Sequence, residues 1–299
     1  MKYYQKYPII IFCYNRPYYL NQLLTSIKKN KNYKSFKFYF FCDGPNKIIN
    51  DQINCLAVKK IIENFQVKKK IITRKKNIGL SKNIINGLNF IFKKRKYKAA
   101  IILEDDLQLS KNCLNFLFSG LNYYKNHKNI GSITGYSYID KLKKFQKKNY
   151  FLSFRHCSWC WGTWSNVWNK INWSNYDLKR GQKISDFTAG GKDLPLMLRA
   201  QQMKIINSWA IRFNFFCFKE NLLSLAPRFS LVRNNGFKLS STHLSLRNFF
   251  HSQKLKERNI KKFSKPFESQ YIHNYIKTTN FISIRLFIKV YLKMFFNFK

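Results

Sequence analysis

Between Pro8 and Phe118, short apolar runs alternate with longer segments whose apolar residues recur at helical spacing. Pro8–Cys13 (PIIIFC) is dense in β-branched residues and predicts a buried strand. Pro17–Lys29 follows, with Leu20, Leu23, Leu24 and Ile27 on one helical face. Phe36–Cys42 (FKFYFFC) predicts a second strand, and Asp51–Phe65 a helix burying Ile53, Leu56, Ala57, Ile61 and Ile62. Lys70–Thr73 is a third, weaker strand. Leu80–Lys94 is a helix aligned on Ile84, Ile85, Leu88 and Phe92, and Ala99–Leu103 (AAIIL) is a fourth strand. Ser110 then stands where an N-cap would open a helix carrying Leu114, Leu117 and Phe118.

Strand and helix alternating at this spacing predict an α/β fold, a Rossmann-like and mainly parallel sheet flanked by helices. Such sheets bind ligands beyond the carboxyl ends of their strands. The four predicted ends read Tyr14-Asn15-Arg16, Asp43-Gly44-Pro45, Arg74 with Asn77, and Glu104-Asp105-Asp106. All four are polar, and three carry charge suited to a nucleotide or a metal.

The second half is less regular. Phe151–Trp173 holds five of the six tryptophans, Lys192–Lys204 reads as a helix, and Ser230–His243 is a Gly/Ser/Asn-bearing loop. From His251 the chain turns basic and loses the alternation. The expected organisation is one domain over 1–250, with a nucleotide-binding half (1–135) and an acceptor-side half (136–250), followed by a basic amphipathic helical extension over 251–299.

Composition changes this picture in two ways. The chain carries 56 Lys+Arg against 13 Asp+Glu, a net charge of +43. That balance suits nucleic acid, an anionic membrane or anionic substrates. It also follows from an overall richness in Lys, Asn, Ile, Phe and Tyr, and no helix-turn-helix, RNP or zinc-finger pattern accompanies it, so specific nucleic-acid binding is not expected. The seven cysteines are odd in number and scattered through apolar stretches, which points to buried free thiols of a reducing compartment. Cys157-x-x-Cys160 has no second pair at zinc spacing. No signal peptide and no apolar run long enough to span a bilayer is visible, so a cytoplasmic location is expected.

Against so few acids, three consecutive carboxylates at the end of an apolar strand stand out. Adjacent carboxylates repel, and burial raises the cost. A hard divalent cation offers one reason for the cluster, since Mg²⁺ or Mn²⁺ takes oxygen ligands and diphosphate oxygens together. A solvated acidic turn at a helix start is the plainer alternative.

The ordered blocks PIIIFCYNRPYYLNQLLTSI, FFCDGPN, NIGLSKNIINGL and IILEDDLQLS, continued by SWCWGTW, KDLPLMLRAQ, SWAIRF and SLVRNNGFKLSSTH, resemble bacterial GT-A glycosyltransferases of the N-acetylglucosaminyltransferase I and family 2-like type. The resemblance spans roughly residues 7 to 245. It implies a GT-A fold and a metal-dependent sugar transfer from a nucleotide-diphosphate donor, a UDP-sugar, with inversion. The acceptor would be a glycan or a lipid-linked glycan of surface polysaccharide, lipopolysaccharide or capsule assembly. By the same resemblance Asp106 ligates Mn²⁺ or Mg²⁺. Arg16, Asp43, Gly44, Asn77, Glu104 and Asp105 bind the nucleotide-sugar, and Asp193 is the catalytic base, with Asp186 as an alternative. His243 and Arg233 are candidates for the diphosphate or the metal. Two positions depart from the pattern: Cys160 stands where relatives usually carry Gly, and Lys238 where Asp is common.

Trp159, Trp161 and Trp164 offer faces on which an acceptor sugar could stack, although such a cluster more often packs a core. In Phe281–Phe298, Arg285, Lys289 and Lys293 fall four apart and would form one basic stripe on a helix. That pattern suits either an anionic membrane surface, placing the protein peripherally on the inner face of a bacterial plasma membrane, or a helix docked on the domain. A degenerate, inactive sugar-binding relative is a further alternative, which intact Asp106 and Asp193 disfavour.

Overall fold

The computed structural model describes residues 4–140, 142, 149–236, 255, 257, 263–264, 267–279 and 284–296. The four predicted strands form as β1 (Ile9–Cys13), β2 (Phe38–Cys42), β3 (Lys69–Thr73) and β4 (Ala99–Glu104). Between them run α1 (Pro17–Lys28), α2 (Ile49–Glu63) and α3 (Leu80–Asn89). Pro17 opens α1, where its missing N–H costs nothing and its fixed φ suits the first turn. The rest of the predicted third helix is a π-turn over Phe90–Lys94, closed by the Arg95 amide on the Phe90 carbonyl.

β5 (Leu107–Leu109) and α4 (Cys113–Tyr123) follow. Ser110 does not cap α4. The helix begins after Asn112, and the Leu114 amide donates instead to the side chain of Asn30, 3.0 Å away beyond the end of α1. A distant amide thus satisfies a donor that helix geometry leaves open.

The second half adds β6 (Ile130–Thr134), β7 (Tyr150–Ser153), β8 (Trp161–Trp164), α5 (Ser165–Trp168), α6 (Leu194–Gln202), α7 (Trp209–Lys219), β9 (Leu223–Pro227) and β10 (Val232–Asn234). The main sheet has the order β3-β2-β1-β4-β8-β6-β9-β7. Its first four strands are parallel, β8 runs antiparallel between β4 and β6, and β6 and β9 are parallel. β5 and β10 pair antiparallel as a separate ribbon. β1 is buried at every position, as a strand covered by helices on both faces must be. Each fully buried Ile there contributes roughly 1.5–3 kcal/mol.

One expectation of burial is corrected. Ile53 and Leu56 are 56% and 68% exposed, and α2 buries Asp51 and Val58 beside the expected Ile62. The helix is turned because Asp51 accepts hydrogen bonds from Tyr14, Asn15 and the Asn46 amide at the mouth of the sheet. Trp161 and Trp164 are core residues. Trp161 stacks on Trp209 at 5.1 Å and is fully buried, while the Trp164 indole N–H donates to the Leu121 carbonyl. Neither has a free face for a sugar.

The described helices beyond residue 250 pack on the domain. In α8 (Gln270–Thr279), Ile272 and Ile276 enter the main core, and the Leu152 amide of β7 donates to the Phe267 carbonyl. α9 (Ile284–Phe296) packs against α6 through buried Val290. Lys293 donates to the Met203 carbonyl, so this cation faces the domain rather than joining an outward stripe with exposed Lys289. The outward side carries Phe287, Ile288, Tyr291 and Leu292, and no helix among the described residues is long and apolar enough to cross a membrane.

All seven cysteines are free thiols, six of them buried. Cys160 pairs with Cys113, Sγ to Sγ 3.3 Å, rather than with Cys157. Its φ is 48°, a left-handed conformation that explains why glycine suits this position.

Candidate active site

The carboxyl ends of β1, β2 and β4 open into a cleft of about 360 Å³. Arg16, Asp43, Asn77, Glu104, Asp105 and Asp106 all line it, so the structure gathers there most of the predicted nucleotide-sugar residues. Glu104 is the last residue of β4, and the others come from the segments that follow β1 to β4, where the chain leaves the sheet.

Asp43 follows β2, and its carboxylate accepts the backbone amides of Gly44, Ile78 and Gly79 at 3.0, 3.0 and 2.9 Å. It therefore fixes the loop that begins α3 as well as facing the cleft. Gly44 lies against that same loop. A Cβ on it would fall 2.5 Å from the Lys76 carbonyl carbon, a gap only glycine leaves. Tyr14, Asn15 and Asn46 are tied together by Asp51. Burial pushes the Asp51 carboxyl up, but those hydrogen bonds outweigh it and hold the group below the usual carboxylate range. Burial and the Asp51 charge push the Tyr14 phenol up to about 12.

The acidic triplet does not converge on one point. Asp105 accepts the Tyr14 amide at 3.1 Å. Asp106 accepts Arg16 Nη1 at 2.8 Å and the Asn234 side chain at 3.4 Å. Arg16 also stands 3.9 Å from Asp105. The β5–β10 ribbon brings Asn234, Asn235 and Gly236 against Asp106, whose carbonyl accepts the Asn235 amide at 2.8 Å. A Cβ at Gly236 would fall 2.3 Å from Asp106 Oδ2, so the backbone crosses this carboxylate at glycine distance.

Burial, then the neighbouring charges of Asp106 and Asp105, pushes Glu104 up to about 8. Burial and the Asp106 charge push Asp105 up to about 7. Burial also raises Asp106, against the pull of Arg16. The cleft is thus short of positive charge even with Arg16 in place. Among the described residues, no group of three or more His, Cys, Asp or Glu side chains is gathered as a metal cage. A hard cation would find one carboxylate, Asp106, and would need diphosphate and water for the rest of its oxygen shell. That donor set fits a cation carried in with a diphosphate.

Arg233 lies beside the triplet on β10, but its guanidinium is held by Gln108 at 2.6 Å and Asn235 at 3.1 Å. His243 and Lys238 lie outside the described residues.

Asp193 is not among the residues lining this cleft. It stands at the start of α6, 8% exposed, where Arg155 Nη1 and Nη2 bind its two oxygens at 2.7 and 2.8 Å. Arg155 also donates to the Gly190 carbonyl at 3.1 Å. It lines a second cavity, of about 300 Å³, with Tyr136, Tyr138, Trp159, Leu194 and Met197. Trp159, alone of the three predicted tryptophans, therefore borders a cavity, its ring 4.8 Å from that of Tyr136. Asp186 is spent on its own turn, accepting the Lys183 amide and the Ser185 hydroxyl. His156, also at the second cavity, is buried between Trp161 and Phe213 with Nδ1 3.0 Å from the Ser132 hydroxyl. Burial, helped by Arg155, pushes it down to about 3.

Sequence reasoning missed Arg155, Tyr14 and Asp51. Arg155 follows a strand that no periodicity marked, Tyr14 was read only as part of a polar strand end, and Asp51 only as the first residue of a helix.

No curated protein sequence matches the chain. Among solved structures, residues 1–349 of S. aureus TarS align over 84% of this chain and 67% of that one, with 13% identity and a TM-score of 0.45. A structure of GalNAc-T7 with UDP, GalNAc and Mn²⁺ aligns over 80% of this chain and 46% of that one, with 10% identity and a TM-score of 0.47. Against a further S. aureus TarS structure the aligned part covers 21% of that chain. The sequence profile of glycosyl transferase family 2 matches residues 9–193, from β1 through the acidic triplet to Asp193. A mostly parallel sheet flanked by helices, with that match across well over half its length, makes this a GT-A-type glycosyltransferase domain, and the chain belongs to glycosyl transferase family 2.

Proposed function

We propose that this protein transfers a sugar from a nucleoside-diphosphate donor, a UDP-sugar, to a glycan or lipid-linked acceptor with inversion at the anomeric carbon. The observation that carries the reading is the cleft at the ends of β1, β2 and β4, where Arg16 meets Asp105 and Asp106 beside Asp43 and Asn77. Nucleoside and diphosphate need different surroundings. The loop fixed by Asp43 and Gly44 supplies a shaped polar wall for the nucleoside, and the Arg16–Asp106 end supplies charge for the diphosphate.

Mn²⁺ or Mg²⁺ held by Asp106 would neutralise the charge that develops on the departing diphosphate. Asp193 would take the proton of the acceptor hydroxyl as its oxygen bonds the anomeric carbon. The anomeric carbon–phosphate oxygen bond breaks, and its electron pair leaves on the nucleoside diphosphate. Inversion rests on the acceptor and the leaving group occupying opposite faces of the sugar.

The acceptor is read as part of surface polysaccharide or lipopolysaccharide assembly at the inner face of a bacterial plasma membrane. Exposed Phe287, Ile288, Tyr291 and Leu292 on α9, beside exposed Lys289, support an interfacial helix there. Thermal-shift screening against UDP-, GDP-, CMP- and TDP-sugars with Mn²⁺ tests the donor assignment. Stabilisation by one nucleotide class, dependent on the cation, is expected. Indifference to all four would contradict it, and would favour an inactive relative.

A further inference from the structure

Asp193 is placed by more than its helix. Its carboxylate is gripped in parallel by the two terminal nitrogens of one guanidinium, at 2.7 and 2.8 Å, and both side chains are nearly buried, 14% exposed for Arg155 and 11% for Asp193. The guanidinium is itself held on two further sides, by the Gly190 carbonyl at 3.1 Å and by the Tyr138 ring, 5.6 Å away. Burial lowers the tendency of Arg155 to stay charged, yet Tyr138 and Asp193 more than reverse this. The Arg155–Asp193 pair is therefore rigid, and Arg155 stands at the wall of the second cavity.

We infer that Arg155 is the positioning residue of the base, a role that rests on the reading of Asp193 as the group that deprotonates the acceptor. A planar guanidinium fork fixes both the rotation of a carboxylate and its place, which an ammonium cannot do. Each carboxylate oxygen has two lone pairs. Arg155 occupies one on each oxygen, and the others remain to accept a proton. Arg155 thus stands to Asp193 as the orienting third group stands to the base in a catalytic triad.

The chemistry can be read without knowing the acceptor, because water can replace it. Water oxygen bonds the anomeric carbon, its proton passes to Asp193, and the bond to the UDP oxygen breaks with the electron pair leaving on UDP. The test follows UDP release by the full chain with Mn²⁺ and UDP-glucose, UDP-galactose, UDP-N-acetylglucosamine or UDP-N-acetylgalactosamine. Wild type, D193N, R155K and R155A are compared, each checked for folding by melting and for donor binding by KM. R155A and D193N are expected to lose kcat on the order of 100-fold, with donor KM little changed. R155K should remain folded and recover only part of the rate, since a point charge replaces a fork. Added guanidinium should restore R155A several-fold and leave D193N unaffected.

If D193N is inactive while R155A or R155K turns over like wild type, the inference fails and the base assignment stands. If R155A loses rate only through a raised donor KM, or guanidinium does not rescue it, Arg155 is a structural anchor of the Gly190 turn. If D193N matches wild type, or wild type releases no UDP from any donor, the base assignment falls and the inference falls with it.

Discussion

Arg16 Nη1 lies 2.8 Å from Asp106 Oδ2, so a cation borne by the chain already sits on the carboxylate assigned to the metal. The arginine side chain is 48% exposed and can swing away, whereas Asp106 is fixed by Asn234 and the crossing of Gly236. Arg16 is therefore expected to hold the Asp106 carboxylate until a cation displaces it. Arg16→Ala should destabilise the metal-free protein by about 1 kcal/mol, a value kept small by solvent screening. Mn²⁺ should raise the melting temperature of the variant more than that of wild type. Equal metal-induced shifts in the two proteins would contradict that expectation.

The wall of the cleft depends on a missing side chain. Gly44→Ala places a methyl 2.5 Å from the Lys76 backbone and must displace the loop whose amides hold Asp43. A loss of about 2–3 kcal/mol is expected from overpacking against backbone. UDP affinity, measured calorimetrically at a temperature where the variant is folded, should fall as well. A variant with lowered stability but unchanged UDP affinity would show that the loop does not contact the nucleotide.

The first half of the fold was legible because its strands are buried on both faces and so appear as continuous β-branched runs. Ile9, Ile10 and Ile11 of β1 show this directly. The rotated face of α2 was not legible, because the polar partners of Asp51 come from loops after two other strands. The second half was harder for a related reason. β8, placed antiparallel between β4 and β6, is the tryptophan motif itself, and its residues suggested a sugar platform before they suggested a strand. The acidic triplet was legible as a site, but the fanning of its carboxylates toward Tyr14, Arg16 and Asn234 was not. Arg155 gave no sequence signal among so many basic residues, and its partner is 38 positions away.

Cys160 shows what a departure from the family pattern does physically. Its φ of 48° strains any residue with a Cβ, and a β-branched one most. Cys160→Gly should change stability by no more than about 1 kcal/mol, relief of strain offsetting the loss of the buried thiol. Cys160→Val, closer to cysteine in bulk, should cost about 2 kcal/mol or more. Chemical denaturation of both variants checks the order, and a valine variant more stable than the glycine one would refute it.

His156 makes part of the stability depend on pH. Its folded value is about 3 against an unfolded value of 6.5, so between these the unfolded chain binds more protons and acid favours unfolding. Its contribution is complete above the unfolded value and declines as pH falls below it. From about pH 7.5 to about pH 5, wild type should lose about 2 kcal/mol more than His156→Gln. Comparing the two proteins cancels the other titrating groups, including Glu104 and Asp105, which act in the opposite direction. Parallel urea-unfolding curves at both pH values would show that the histidine is not buried neutral.

The Asp106 end of the cleft is expected to receive a divalent cation together with a nucleoside diphosphate. Crystals of the full chain grown with UDP and Mn²⁺, with anomalous scattering recorded at the manganese edge, test it most directly. One anomalous peak is expected within bonding distance of an Asp106 carboxylate oxygen and of the diphosphate, with Arg16 withdrawn from Asp106. A bound UDP with no metal peak, or a peak that leaves the Arg16–Asp106 contact intact, would contradict it.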